Sequence, residues 1–122
     1  MQVYMQNSEF DEAAAFQHLK CREKIKATNR EEVRKNLLKK ITTILFDELK
    51  TKNIEVWLIG SIIQPNKFSE RSDIDIVVNG YRGDRFYLWT LLEAKIGHAV
   101  EIIRYEECGF QDDIIKYGLK VL

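Results

Sequence analysis

Hydrophobic and polar positions alternate along the chain with two different periods. Between Val33 and Leu49, apolar residues recur every three or four positions, which is the spacing of one face of an amphipathic helix. A less regular apolar face predicts a preceding helix from about Ser8, its N-cap, to Ala27. The sequence T-N-R-E at 28–31 has the pattern of a capping box, so we expect the two helices to be separated there.

The second half of the chain combines strand and helix periods. Short apolar runs rich in β-branched residues predict three strands, at Glu55–Ile59, Asp73–Val78 and Ala99–Arg104. Helical spacing predicts two further helices, Arg85–Ile96, which Gly97 ends, and Gln111–Tyr117. This order of elements predicts an α+β fold with α/β-like order, in which helices cover one small mixed sheet of three or four strands. We also expect Trp57 and Trp89 to be core residues.

Composition narrows the class of protein. A length of 122 residues, of which 45% are hydrophobic, suggests one globular domain. The 19 basic and 19 acidic side chains give no net charge, so direct nucleic-acid binding through bulk electrostatics is not expected. No signal-peptide pattern or membrane-length apolar run is present. With the free thiols expected for Cys21 and Cys108, these features predict a cytoplasmic protein without membrane association, and the low net charge favours homo- or hetero-oligomers.

The chemistry is concentrated at the second predicted strand. Aspartate is disfavoured in strands, yet Asp73 and Asp75 stand at the head of an apolar one. Side chains alternate between the faces of a strand, so these two carboxylates point the same way, about 7 Å apart. Two like charges at this distance favour a divalent cation between them, and hard oxygen ligands suit magnesium. Two solvated aspartates at a strand end are the alternative.

A glycine and a serine close the preceding strand. Gly60 allows a phosphate to approach the backbone, and free N–H groups at the start of the following turn or helix attract anions. The hydroxyl of Ser61 adds a further donor. A Gly-Ser turn alone is common, but the combination with an Asp-x-Asp strand after eleven intervening residues, 62–72, is more specific.

The segments V-W-L-I-G-S and S-D-I-D-I-V-V resemble the minimal nucleotidyltransferases of the DNA polymerase β superfamily. The C-terminal I-I-K-Y-G-L-K-V-L is similar to the tail of these small domains, and the resemblance covers roughly residue 33 to the end. It implies the nucleotidyltransferase fold for residues 29–122, preceded by an N-terminal helical extension over residues 1–28. It also implies a third carboxylate on a later strand, for which the candidate is Glu101 in A-V-E-I-I.

The resemblance further implies a reaction and its residues. Asp73, Asp75 and Glu101 would be catalytic and would hold two magnesium ions, with Glu101 also helping to deprotonate the acceptor hydroxyl. Gly60 and Ser61 would hold the phosphates of ATP. Pyrophosphate would leave as a nucleoside monophosphate is transferred.

Two departures from the family pattern bear on this reaction. Relatives often carry arginine soon after Gly-Ser, whereas this chain has the uncharged I-I-Q-P at 62–65. Lys67 or Arg71 are candidate replacements in the predicted nucleotide site, which also includes Ser72 of the S-D-I-D motif. The third carboxylate is usually aspartate, and Glu101 is longer by one methylene, so it is either a slower catalytic group or an exposed strand residue.

Small members of this family are often encoded beside a HEPN-type toxin. The resemblance therefore implies an antitoxin that transfers AMP from ATP to the toxin, its protein partner. One alternative is a catalytically weak or inactive module that neutralises a partner by contact. A second alternative is a small-molecule nucleotidyltransferase subunit of the aminoglycoside-modifying type.

Overall fold

A computed structural model describes residues 12–122, which form three α-helices and a four-stranded mixed sheet. The helices are α1 (Glu12–Leu49), α2 (Arg85–Ile96) and α3 (Gln111–Tyr117). The strands are β1 (Glu55–Ile59), β2 (Ile74–Asn79), β3 (Val100–Arg104) and β4 (Leu119–Lys120). A 3₁₀ helix, Gly60–Ile63, follows β1, and another, Tyr105–Glu107, follows β3. The predicted α+β class is confirmed.

Helix α1 is a single element of 38 residues, so the predicted break near residue 28 is wrong. No glycine or proline interrupts residues 12–49. The hydroxyl of Thr28 donates to the carbonyl of Lys24 one turn back, so it stays inside the helix and caps nothing. Glu31 binds Arg34 instead of returning to a capping position. The predicted cap at Ser8 lies outside the described residues.

The sheet has the order β3-β2-β1-β4, which makes β1 and β2 its central strands. Strand β1 pairs antiparallel with both β2 and β4, whereas β2 and β3 are parallel. Helix α2 provides the crossover between the parallel strands, as such a connection requires. Gly97 ends α2 in the left-handed conformation, with φ of 76°, as its position predicts.

The two faces of the sheet are covered differently. Residues 56, 58, 74, 76 and 78 point to one face, where α1 and α2 bury them in the main core. The opposite face carries a smaller cluster in which Trp57 and Val77 pack against Ile114 of α3. Among residues 12–122, no helix combines the length and the apolar character that crossing a bilayer requires.

Two expectations about individual side chains are wrong, and one is confirmed. Trp57 is buried as predicted, but Trp89 is 37% exposed and uses its indole N–H to donate to the carbonyl of Val100. Val33, which the sequence analysis placed on the apolar face of α1, is exposed. The helix directs position 34, not position 33, toward the core. Arg34 occupies the buried position instead, with 6% of its surface exposed.

Candidate active site

Gly60 and Asp75 are in direct contact at the end of the two central strands. The register pairs Ile59 of β1 with Asp75 of β2, so the residue after Ile59 lies beside the aspartate. Gly60 has a φ of 79°, a conformation that glycine adopts without strain. A Cβ atom at this position would lie 2.6 Å from Oδ2 of Asp75. Only glycine therefore allows the carboxylate to lie against this turn.

Two further carboxylates flank Asp75. The parallel register of β2 and β3 places Glu101 opposite Asp75, so both side chains leave the sheet on the same face. Asp73 precedes β2 by one residue. The negative charges of Glu101 and Asp73 both act on Asp75. The three predicted carboxylates thus lie together, beside the Gly-Ser turn.

The electrostatics of the cluster are uncompensated. Burial raises the pKa of Asp75 to about 6, with further contributions from the charge and hydrogen bond of Glu101 and from the charge of Asp73. Within residues 12–122, no ion pair includes any of these three carboxylates.

Arg34 lies on the face of the sheet opposite the carboxylate cluster and holds the Gly-Ser turn in place through hydrogen bonds. Its Nη1 donates to the carbonyl of Ile62, in the 3₁₀ helix that begins at Gly60, over a distance of 2.9 Å. Its remaining nitrogens bind Glu31, whose Oε2 in turn accepts a hydrogen bond from the backbone N–H of Asn66. These contacts lower the pKa of Glu31 to about 2. Helix α1 therefore fixes both the Gly-Ser turn and the loop that leads to Asp73.

A cleft of about 500 Å³ opens from Gly60 toward α3. Its apolar lining includes Ile59, Phe110 and Tyr117, and its polar lining includes Gln64 and Asp113. The volume lies in the range of small-molecule sites. The cleft lies on the same side of the sheet as Asp75, and Gly60, which contacts Asp75, is part of its lining.

The other residues of the predicted nucleotide site are distributed unevenly. Ser61 follows Gly60 within the 3₁₀ helix, so it lies at the cluster. The hydroxyl of Ser72 is bound by the backbone N–H and hydroxyl of Ser69. Lys67 is exposed and lines a small cavity beside Glu31, away from Asp75.

Arg71 also lies apart from the cluster. It lines a groove along α1, and the charges that shift the pKa of Asp75 belong to carboxylates alone. Within residues 12–122, neither Lys67 nor Arg71 forms an ion pair with the cluster. The structure therefore brings Gly60, Ser61 and the three carboxylates together, but it does not bring these two cations to them.

The donor set of the cluster suits a hard divalent cation. Carboxylate oxygens are the ligands that magnesium prefers, and like charges near a half-buried aspartate are relieved by such an ion. Within residues 12–122, no three or more His, Cys, Asp or Glu side chains converge into a set that holds a metal by itself. Magnesium usually takes one or two protein carboxylates and completes its shell with water and phosphate oxygens.

The sequence analysis did not identify Arg34, Phe110, Asp113 or Tyr117 as parts of this region. An arginine on the core face of an amphipathic helix was the available signal for Arg34, because a buried guanidinium requires partners. The aromatic residues at both ends of α3 are 46% and 66% exposed, which was not visible from their spacing.

Comparison of the chain with protein-family models, with curated proteins and with solved structures finds no match.

Proposed function

We propose that this chain is a magnesium-dependent nucleotidyltransferase that transfers AMP from ATP to a hydroxyl group of a protein acceptor. The contact between Gly60 and Oδ2 of Asp75, with Glu101 opposite Asp75, is the observation that carries the proposal. It joins a turn suited to phosphate and a cluster suited to a divalent cation in one place. The resemblance of the V-W-L-I-G-S and S-D-I-D-I-V-V segments to minimal nucleotidyltransferases supports the same reaction.

In the proposed complex, ATP occupies the cleft beside Gly60. Its base lies between Phe110 and Tyr117, and its phosphates reach the N–H groups of the Gly-Ser turn. Asp75 and one of its acidic neighbours, Asp73 or Glu101, would hold magnesium, which would neutralise the phosphate charge and favour the departure of pyrophosphate. The packing of Gly60 against Asp75 keeps the phosphates and the carboxylates at a fixed separation, which is the main requirement for transfer.

The reaction itself needs a proton acceptor for the attacking hydroxyl. The hydroxyl oxygen forms a bond to the α-phosphorus, the bond from that phosphorus to the bridging oxygen breaks, and pyrophosphate takes the electron pair. The hydroxyl proton would pass to the carboxylate of Glu101, which lies opposite Asp75.

Transfer of label from ATP tests this proposal. The chain is incubated with ATP labelled at the α-phosphate, magnesium and the product of the adjacent gene, the HEPN-type partner that the family resemblance suggests. We expect label on that product. Asp73→Asn combined with Asp75→Asn is expected to lower the rate about 10³-fold or more, because the charges that stabilise the transition state are removed.

A matched control removes two carboxylates elsewhere. Asp47→Asn combined with Glu32→Gln changes the net charge equally, and both residues are exposed on α1, which covers the opposite face of the sheet. We expect its rate to stay within about twofold of the native rate, since exposed charges contribute little. Absence of label with the native chain, across protein and small-molecule acceptors, would reject the enzymatic proposal.

A contact-only antitoxin is the second candidate function. No cation in residues 12–122 pairs with the carboxylate cluster, and the stretch after Gly60 is uncharged. The N-terminal part of α1 also presents exposed apolar side chains, including Phe16, Leu19 and Ile25, that suit contact with a protein. Under this alternative, the Asp73→Asn and Asp75→Asn double variant neutralises the partner as well as the native chain does.

A further inference from the structure

A second cavity, of about 570 Å³, lies on the other face of the sheet. It is a groove between the middle of α1 and the loop that connects the Gly-Ser turn to β2, and His98 closes one end. Phe68, in its floor, belongs to the main core under α1. The carboxylate cluster points to the opposite face, toward α3, so this groove is separate from the proposed catalytic site.

The rim of the groove carries unpaired positive charge. Lys26 and Arg30 lie one turn apart on α1, and Arg71 faces them from the loop. Like charges four residues apart on a helix repel each other. Within residues 12–122, none of the three cations forms an ion pair, and Glu70 is the one acidic residue of the lining. A concave surface of one charge concentrates its field, so the groove attracts an anion.

The floor of the groove is apolar and partly aromatic. Phe68 lies beside the imidazole of His98, with ring centroids 5.3 Å apart, and the exposed Val33 and the half-buried Leu37 extend this surface along α1. His98 is fixed in place because its Nε2 donates to the carbonyl of Ser72 at 2.6 Å. A rigid aromatic surface of this kind accepts a flat ring at little entropic cost.

We propose that this groove binds a nucleoside phosphate, distinct from the ATP molecule that the carboxylate cluster would use. The base lies between α1 and His98, over the apolar surface of Val33 and Leu37, and the phosphate lies among Lys26, Arg30 and Arg71. A nucleoside phosphate combines the flat apolar ring and the compact negative charge that these surfaces require, and the volume lies in the range of small-ligand sites. The inference stands independently of the proposed transferase activity.

Binding of AMP to the full chain in the presence of EDTA tests this site. Chelation of divalent cations removes metal-dependent binding at the carboxylate cluster, and the arginine variants then assign the remaining binding to the groove. We expect AMP to bind, and the Arg30→Ala and Arg71→Ala double variant to weaken its affinity about tenfold or more, because two charge-assisted contacts are lost. Both arginines are exposed, so the variant is expected to fold.

The matched control is Arg22→Ala combined with Arg82→Ala, which removes two exposed guanidinium groups that do not line the groove. Its affinity for AMP is expected to stay within about twofold of the native value. Adenosine and inorganic phosphate, tested separately, are each expected to bind about tenfold more weakly than AMP, since each keeps only half of the contacts.

Four results would overturn the proposal: no binding of AMP in EDTA, equal weakening in both arginine pairs, inorganic phosphate binding as tightly as AMP, and a short single-stranded RNA binding more tightly than AMP. The last result would instead indicate a surface that follows a nucleic-acid backbone. The Asp75→Asn variant distinguishes the two sites. It is expected to lose AMP transfer while it keeps AMP binding in EDTA.

Discussion

The two faces of the sheet serve different purposes. On the face covered by α1 and α2, nearly every strand side chain is apolar and fully buried. On the face covered by α3, a smaller cluster around Trp57 gives way to Asp75 and Glu101 at the ends of the strands. The same strands supply both faces, because successive side chains alternate. One face therefore stabilises the fold, and the other holds charged groups that the fold alone does not require.

Two carboxylates, one on each side, illustrate the difference. Glu31 on α1 accepts hydrogen bonds from Arg34 and Asn66, and its pKa falls to about 2. Asp75 has a half-buried position and two acidic neighbours, and its pKa rises to about 6. Glu31 therefore stabilises the native state above its ordinary pKa, whereas the ionised Asp75 opposes folding. Carboxylates with perturbed pKa values are frequent at functional sites, which is consistent with the role that we propose for Asp75.

The largest effect on stability is expected from the core face. Leu45→Ala removes a fully buried side chain of α1 and is expected to lower the free energy of unfolding by about 3 kcal/mol, through lost burial and a residual cavity. Leu19→Ala, on the exposed part of the same helix, is the control and is expected to cost less than about 0.5 kcal/mol. Urea unfolding measures both. Equal losses would show that the N-terminal part of α1 is buried as deeply as the rest.

The next largest loss of stability is expected at Arg34, whose hydrogen bonds link α1 to the Gly-Ser turn. Arg34→Met leaves Glu31 and the carbonyl of Ile62 without their buried donor and is expected to cost about 2 kcal/mol. The pKa of Glu31, followed by NMR, is expected to rise from about 2 toward its ordinary range. Lys35→Met, on the exposed surface of α1, is the control. An unchanged pKa of Glu31 in the Arg34 variant would contradict this role.

A smaller effect on stability, with a larger one on activity, is expected at the turn. Gly60→Ala introduces a Cβ 2.6 Å from Oδ2 of Asp75 at a positive φ, so we expect a loss of about 1–2 kcal/mol. The displaced carboxylate is expected to lower AMP transfer about 100-fold. Gly109→Ala is the control, because its Cβ would contact nothing within 4 Å. Native activity in the Gly60 variant would separate the turn from the reaction.

The smallest expected effect is a gain in stability, from the substitution Asp75→Asn. The pKa of Asp75 is raised from 3.8 to about 6, so the native state binds the proton more tightly than the unfolded state does. The free energy of unfolding therefore falls as the pH rises through this interval. Asp75→Asn removes that fall. Because the group is partly exposed to solvent, the gain at neutral pH in EDTA is expected to be about 1 kcal/mol.

Urea unfolding from about pH 4 to about pH 7 measures this gain, with Asp47→Asn as the exposed control. Equal pH dependence in the native chain and the Asp75 variant would show that the cluster does not oppose folding.

Local signals in the sequence predicted most of the elements. Strand β1 and helices α2 and α3 have the predicted bounds, because apolar periodicity and adjacent turn residues define them. The capping pattern near residue 28 led to a wrong prediction of a helix break, because Thr28 also fits inside a continuing helix. Strand β4 has only two residues and pairs with β1, which lies about half the chain away in sequence, so no local pattern indicates it.

The candidate site also combines features that local sequence signals predicted with features that depend on the tertiary fold. Alternation along a strand predicted the common direction of Asp73 and Asp75, but their contact with Gly60 depends on the antiparallel register of β1 and β2. The resemblance named Glu101 as the candidate third carboxylate, but its position opposite Asp75 depends on the parallel register of β2 and β3. The hydrogen bond from Arg34 to the carbonyl of Ile62 joins residues 28 positions apart. The groove at Arg71 forms only when the loop packs against α1, so no local pattern indicates either feature. The roles of these residues remain predictions.

The central claim is that Asp75 and its neighbours hold a magnesium–nucleotide complex beside Gly60. The most direct measurement compares the melting temperature of the chain in ATP with magnesium and in ATP with EDTA, which cancels metal-independent binding at the groove. For the native chain we predict that magnesium raises the melting temperature by about 5 °C or more at saturating ATP, and that Asp75→Asn abolishes this increment. An increment of equal size in both proteins, or none in the native chain, would contradict the account.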